Sequence, residues 1–464
     1  MAGAELALVI MAAGKGTRMR SERPKVLHEV CGRSILMHTV AMGRELGAGR
    51  IVAVAGHGID QVREAVAGQG VEVVEQREQL GSAHAALQAR GLLADHSGPV
   101  LVMNGDHPLY RAASFAGLLD AWRSASADLA ILVTELPDPT GYGRLVRDAR
   151  GGVLRVVEER DADAATRSMR EVNLGAYLAR GPYLFEALAK IGNHNAQREY
   201  YATDLVEIAL ATGGRVVTAS AADWVETLGI NDRAQLAQAE RILRCRINER
   251  WMREGVTLVD PEHTYIDVDC EIGPDTLIAP GVVLRRGALL GSGCRIDAGV
   301  VIEASRLGNG CWIKPHCWIE ESRLGDDCIV GPSAHFRPNV ELGAGCRIGN
   351  FVEIKNSRIG AGTKADHLSY IGDADVGTRV TFACGAITVN YDGRHKHRTT
   401  VGDDVFVGCN ANLIAPVSIQ ARAFVAAGTT VTEEVPPGAL ALGRARQRNL
   451  PGWRDRKFGP GDHD

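Results

Sequence analysis

The sequence predicts an α/β domain followed by a parallel β-helix built of six-residue repeats. Three observations predict it. An aliphatic residue recurs at a near-constant step of six through the second half. Short apolar runs alternate with helical patterns and Gly-rich loops through the first half. One amphipathic stretch joins the two.

The repeat series opens at Ile272 and continues through Ile278, Leu284, Leu290, Ile296 and Ile302. After one shorter step it resumes at Leu307, Ile313 and Ile319, and it runs on to Val425 and Val431. A period of about six is neither the 3.6 of a helix nor the 2.0 of an ordinary strand. It fits a hexapeptide-repeat β-helix, in which each short strand forms one face of a coil and successive coils stack. A small residue four positions after the aliphatic one shares the interior, at Cys294, Cys311, Cys317, Cys328 and Cys346.

At 464 residues the chain is too long for one ordinary core, so two or three domains are expected. A net charge of -4 gives no support for nucleic-acid binding. No apolar run reaches the roughly 18 residues of a membrane span. The start, MAGAELALVIMAAG, lacks a basic region and reads as a strand and not a signal peptide. Of the 10 Cys, half sit at the inward repeat position and none forms a CxxC pair. Reduced core thiols of a cytoplasmic protein are expected.

Taken in order, residues 5–10 form an apolar strand that runs into Met11-Ala12-Ala13-Gly14-Lys15-Gly16-Thr17-Arg18. Such a loop offers backbone N–H groups and positive charge to phosphates, although a plain tight turn has the same composition. It is neither a Walker A loop nor a GxGxxG fingerprint. Lys25 follows nearby; alone it reads as a solvated charge. Strands over 51–55, 71–75 and 99–103 follow, the last ending in Asn104-Gly105-Asp106-His107-Pro108. An Asp at the carboxyl end of a buried strand lies where open parallel sheets bind ligands, and it suits magnesium. The alternative is a simple Asp turn.

From about Asn231 to Gly255 the chain reads as an amphipathic helix with Leu236, Ala239, Leu243 and Ile247 on one face. The expected domains are 1–231, a helical linker over 232–254, and the β-helix with its tail over 255–464. Between Thr388 and Val401 a basic insertion, Val389 to Thr400, interrupts the repeat. A solenoid confines insertions to one face, commonly the binding face. Arg337, Lys355, His367 and Tyr370 lie in neighbouring repeats, a set suited to an anionic sugar phosphate and a base. The tail from Gly452 is expected to be mobile.

The segments MAAGKGTRM, PKVLH, EQLGSAHA, GDHPL, DPTGYGR, EVNLG, EYYATD and GIND resemble the nucleotidyltransferase half of one family. It is the bacterial bifunctional N-acetylglucosamine-1-phosphate uridylyltransferase / glucosamine-1-phosphate acetyltransferase. FRPNVEL, GNFVEIKN, KADHLSYIGDADVG and NYDGRHKHRT resemble its acetyltransferase half, so the resemblance covers nearly the whole chain. It implies an α/β Rossmann-like nucleotidyltransferase domain followed by a left-handed parallel β-helix. It also implies a cytoplasmic homotrimer that makes UDP-N-acetylglucosamine for peptidoglycan, lipopolysaccharide and cell-wall synthesis.

By the same resemblance, Gly14, Arg18 and Lys25 hold the UTP triphosphate, with Lys25 also catalytic, and Gln76 and Gly81 hold the uracil. Asp106 and Asn231 bind Mg2+, and Gly143, Glu158 and Asn173 hold the amino sugar. Met11, Ala12, Ala13, Ser82 and Asn104 complete the UTP and sugar contacts. In the β-helix, His367 is the implied general base, and Arg337, Lys355, Tyr370 and Lys396 grip glucosamine 1-phosphate. Asn390 orients the reacting groups, and Tyr391, Cys384, Cys409, Ala427 and Arg444 line the acetyl-CoA site. The chain departs from the family pattern at Ser82-Ala83, Asn104, Leu174, Arg198, Thr381 and Cys409, the last standing where Ser is usual. The rival reading is a single-activity sugar-1-phosphate nucleotidyltransferase with a structural β-helix, and a non-enzymatic scaffold is a further one.

Overall fold

The structure is a computed structural model that describes residues 5–459. The first four residues of the N-terminal reading and the last five of the tail lie outside the described residues. The chain divides into two compact units, Met1–Arg244 and Cys245–Asp464. One helix, Arg233–Arg253, contains the division. Ala239 and Ile247 on its apolar face are buried.

In the first unit the strand Leu6–Ala12 is central. It pairs in parallel with Ala48–Ala55 on one side and Pro99–Asn104 on the other. Glu72–Glu75 extends the first side. Beyond Pro99–Asn104 lies the antiparallel strand Glu171–Arg180, then Leu129–Glu135 and Val216–Ser220. Alternate residues serve opposite faces, as the period of two requires. Leu8 and Ile10 enter a core with Leu36, Val40 and Phe115. Ala7 and Val9 enter another with Leu93, Leu184 and Val206. Both faces are therefore covered, and the ligand position left open is at the strands' carboxyl ends.

The second unit is a left-handed parallel β-helix. Among the described residues its strands form sheets of 11, 10 and 9, in which a strand pairs with the third one along the chain, except that Phe424–Val425 pairs with Leu440–Ala441 at the end of the largest. Every aliphatic residue of the six-residue series is buried, from Ile272 to Val431. Each contributes about 1.5–3 kcal/mol of apolar burial. Ala365 fills the step between Ile359 and Ile371 where no large aliphatic stands. Thr388, also buried, satisfies its hydroxyl on the Gly372 carbonyl at 3.0 Å.

The stacked cysteines Cys294, Cys311, Cys328 and Cys346 are buried, and each directs Sγ to a carbonyl of the next coil at 3.2–3.3 Å. Thr276 and Thr363 make the same bond at either end of this ladder, both at 3.0 Å. The inward small position is thus set by hydrogen bonding as well as by volume. The tail carries one short element. Trp453–Phe458 forms a short exposed helix, with the Trp453 and Phe458 rings edge to face at 5.9 Å. Among the described residues no helix is long and apolar enough to cross a membrane.

Candidate active sites

Past Ala12 the chain turns through the Gly-rich loop and enters a short turn at Thr17–Met19. Gly16 has φ +57, and a Cβ there would stand 2.8 Å from the Lys25 Cβ. Glycine thus admits both the left-handed backbone and the close approach of Lys25. Lys25 Nζ donates to Asp106 Oδ2 at 2.7 Å and to Asn231 Oδ1 at 3.2 Å. A bond from Ile230 N to the Asp106 carbonyl, 2.9 Å, fixes the Asn231 segment beside Asp106.

Asp106 Oδ1 is 2.7 Å from His107 Nδ1 but outside hydrogen-bond geometry, so this buried oxygen keeps no hydrogen-bond partner. Burial alone would raise the Asp106 pKa. The neighbouring His107 ring and the Lys25 ammonium outweigh it and hold the carboxyl well below its ordinary range.

Two hollows meet at Met11, Ser82, Asn104 and Asp106. The first, about 320 Å³, is also lined by Ala12, Ala13, Gly14, Lys25, Gln76 and Gly81. The second, about 370 Å³, is also lined by Arg18, Gly143, Glu158, Asn173 and Asn231. Every nucleotide- and sugar-site candidate of the sequence therefore lies on one cleft. Gly81 has φ +113, and a Cβ there would meet the Tyr200 carbonyl oxygen at 2.5 Å. That contact stitches EQLGSAHA to EYYATD, helped by Ala202 N donating to Ser82 Oγ at 2.9 Å. Gln76 donates to the Gly81 carbonyl at 3.1 Å. Asn173 is buried, with Nδ2 on the Tyr177 hydroxyl at 2.8 Å and Oδ1 unpartnered. Burial, with Asp161, Asp204 and Glu199 nearby, pushes the Glu158 carboxyl above its ordinary range.

In the β-helix, stacking builds two columns at two corners of the coil. Asn350 pairs with His367 in register, and Lys364 and Ala365 pair with Thr381 and Phe382. Continued through the turn, that register sets Cys384 over His367, and Gly385 N donates to the Leu368 carbonyl at 2.9 Å. Thr381 and Phe382 pair with Phe406 and Val407, which sets Cys409 over Cys384. Phe406 and Val407 pair with Phe424 and Val425, which sets Ala427 next. Arg444 Nη1 donates to the Ala427 carbonyl at 2.6 Å. His367 Nδ1 faces Asn350 Oδ1 at 3.1 Å.

The strand Tyr370–Gly372 leads from that corner to the second one, where Asn356, Asp373 and Asn390 stack. Asn356 Nδ2 donates to Asp373 Oδ1 at 2.5 Å, and Asn390 Nδ2 donates to Asp373 Oδ2. Tyr370 OH accepts from Asn390 Nδ2 at 3.4 Å. Lys396, then burial and Arg337, depress the Lys355 pKa, against an upward pull from Asp373. These three cations are thus crowded together, an arrangement that a dianionic phosphate relieves. Tyr391 bridges to Lys396 within the insertion and stays exposed.

Comparison with known proteins agrees with both halves. Residues 8–174 match the MobA-like NTP transferase domain family. Residues 269–304 and 321–356 match the bacterial transferase hexapeptide family (six repeats), and 398–433 the hexapeptide repeat of succinyl-transferase. The bifunctional protein GlmU of Geobacter sulfurreducens is 49% identical, with 97% of this chain and 99% of that protein covered. That of Halalkalibacterium halodurans is 46% identical over 95% of this chain and 96% of its own. The chain belongs to the bifunctional GlmU family. It is a bifunctional enzyme of UDP-N-acetylglucosamine synthesis, a uridylyltransferase and a glucosamine-1-phosphate acetyltransferase.

Several residues of these clusters escaped the sequence reading. Gln79 clamps the Gly-rich loop by donating to the Ala13 carbonyl at 2.7 Å. Arg144 sits in a sugar-loop motif yet is 1% exposed, donating to the Met169 carbonyl at 3.0 Å and pairing with Glu159 at 2.8 Å. Asp373 went unassigned although it stands one coil from both Asn356 and Asn390, a spacing that marks it in retrospect. Of the departures from the family pattern, Leu174 is buried in the core, and its carbonyl accepts from the Tyr110 hydroxyl at 3.0 Å.

Proposed function

We propose that the β-helix first acetylates glucosamine 1-phosphate from acetyl-CoA and that the α/β unit then joins the product to UMP from UTP. One observation carries this reading. Each unit has its own polar constellation assembled from motifs far apart in sequence, and a structural coil requires neither His367 nor the crowded Lys355 and Lys396.

For acetylation, Arg337, Lys355 and Lys396 receive the sugar phosphate, and Tyr370 and Asn390 orient the amine. Asn350 Oδ1 favours the Nδ1–H tautomer of His367, leaving Nε2 to accept a proton. The amine nitrogen attacks the thioester carbon, the C–S bond breaks, and the amine's proton passes to Nε2. Cys384, Cys409 and Ala427, with Tyr391 and Arg444, line the coenzyme A path.

For uridylyl transfer, the Gly14 loop, Arg18 and Lys25 neutralise the triphosphate, while Gln76 and Gly81 hold the uracil. Glu158, Asn173 and Gly143 hold the N-acetylglucosamine 1-phosphate, whose phosphate oxygen attacks the α-phosphorus in line as pyrophosphate leaves. Divalent-metal use fits the donor set. Asp106 and Asn231 offer hard oxygens that already converge on a cation, the Lys25 ammonium, and Asp106 Oδ1 lacks a hydrogen-bond partner. These two residues would hold Mg2+, which commonly takes one or two protein oxygens with substrate phosphates and, when bound, offsets phosphate charge. The protein is read as a cytoplasmic homotrimer. Exposed Phe351 and Leu368, which stack at the His367 corner, support a subunit contact there.

The experiment is release of free coenzyme A from acetyl-CoA on addition of glucosamine 1-phosphate, against a no-sugar blank. Sugar-dependent release is expected. No release from folded protein would favour a single-activity nucleotidyltransferase with a structural β-helix.

A further inference from the structure

Cys384 and Cys409 occupy the same corner position in successive coils. Phe382 pairs with Val407, and beyond the corner Asn410 N donates to the Cys384 carbonyl at 2.9 Å. The register is thus held on both sides of the two cysteines. Both are exposed, unlike the buried thiols of the inner ladder. Parallel neighbours lie about 4.8 Å apart, within the roughly 4.4–6.8 Å between Cα atoms that a disulfide spans. Side chains at one register position leave stacked strands in the same direction, so the two Cβ atoms do not diverge.

We propose that Cys384 and Cys409 form a reversible disulfide, a thiol–disulfide modification site on the β-helix. The oxidant is a low-molecular-weight disulfide, RSSR. One protein thiolate attacks a sulfur of RSSR, whose S–S bond breaks to release one thiol and leave a mixed disulfide. The second protein thiolate attacks the protein sulfur of that mixed disulfide and releases the second thiol. Two protein thiols are oxidised, RSSR is reduced to two RSH, and the thiol protons end on those products. The bond stands on the register alone. Its consequence rests on the reading of the acetyl-CoA site given above. The pair lies between His367 and Ala427 in one column, so the bridge constricts the coenzyme path and suppresses acetyl transfer. The α/β cleft contains no cysteine among its lining residues, so uridylyl transfer persists.

The test treats reduced full-length protein with glutathione disulfide and maps its peptides without reduction. Cys245, exposed on the helix Arg233–Arg253, serves as the isolated thiol that takes only a glutathione adduct. The expected result is a peptide linking Cys384 to Cys409. With it, acetyl-CoA affinity falls at least tenfold, dithiothreitol restores it, and pyrophosphate release is unchanged. Cys384→Ala and Cys409→Ser, each compared with itself before and after treatment, show no linked peptide, and the remaining cysteine takes only a glutathione adduct. Separate glutathione adducts on Cys384 and Cys409 without the linked peptide overturn the proposal. A linked peptide with unchanged acetyl-CoA affinity keeps the disulfide and overturns the placement of the coenzyme there.

Discussion

Lys25 Nζ donates to Asp106 Oδ2 at 2.7 Å across a sequence separation of 81 residues. The bond draws an ammonium from the loop after the first strand onto a carboxylate at the end of a neighbouring one. Both side chains are largely shielded, at 13% and 22% exposure, so the charge there is held in place and weakly screened. Lys25→Ala is expected to lower pyrophosphate release about 100-fold or more, the scale of losing one preorganised donor. Acetyl transfer in the same sample is expected to stay at the wild-type rate.

Asp204 carries the clearest pH signature. Burial, with Glu207 and Asp161 nearby, pushes its carboxyl up to about 6. The folded protein therefore holds this proton more tightly than the unfolded chain, whose Asp titrates near about 3.9. Stability falls as pH rises between those values, and the full penalty is present above about pH 6. Asp204→Asn is expected to raise the unfolding temperature at pH 7.5, with the gain shrinking to nothing near pH 4. A gain independent of pH would show that the group is not perturbed.

Much of this organisation was legible in the residues. The six-residue step located the β-helix because each coil repeats one inward aliphatic position, and every residue of the series is buried. The phosphate-loop and strand-end motifs stood out in the sequence, although taken singly each could also be read as a plain turn. Less was readable where partners come from coil stacking. Asp373 is satisfied by Asn356 and Asn390 from the coils on either side, and a local motif shows neither. Arg144 was not singled out either, because burial of a guanidinium among backbone carbonyls leaves no local trace.

Gly372 offers a way to disturb the second site without touching its charges. A Cβ there would meet the Tyr370 hydroxyl at 2.4 Å and the ring carbons at 2.6–2.7 Å. Gly372→Ala is expected to swing the Tyr370 ring aside and raise KM for glucosamine 1-phosphate about tenfold, roughly one hydrogen bond. The unfolding temperature should change little, because the displaced group is the far end of a side chain. Steady-state kinetics with varied sugar phosphate checks this.

Arg144 is expected to act through stability. Its removal leaves Glu159 without its buried partner and frees the Met169, Tyr142 and Arg167 carbonyls. Arg144→Ala is expected to cost about 3 kcal/mol, read as a lower denaturant midpoint for the α/β unit. Coenzyme A release by the β-helix should survive at denaturant concentrations where pyrophosphate release is lost.

The central claim is that one chain carries two chemically independent sites, one built on Asp106 and one on His367. The most direct measurement assays Asp106→Ala and His367→Ala side by side for coenzyme A release and for magnesium-dependent pyrophosphate release. The expected result is a crossed pattern. Asp106→Ala loses pyrophosphate release and keeps acetylation, and His367→Ala loses acetylation and keeps pyrophosphate release. Equal loss of both activities in either variant, with the fold intact, would contradict it.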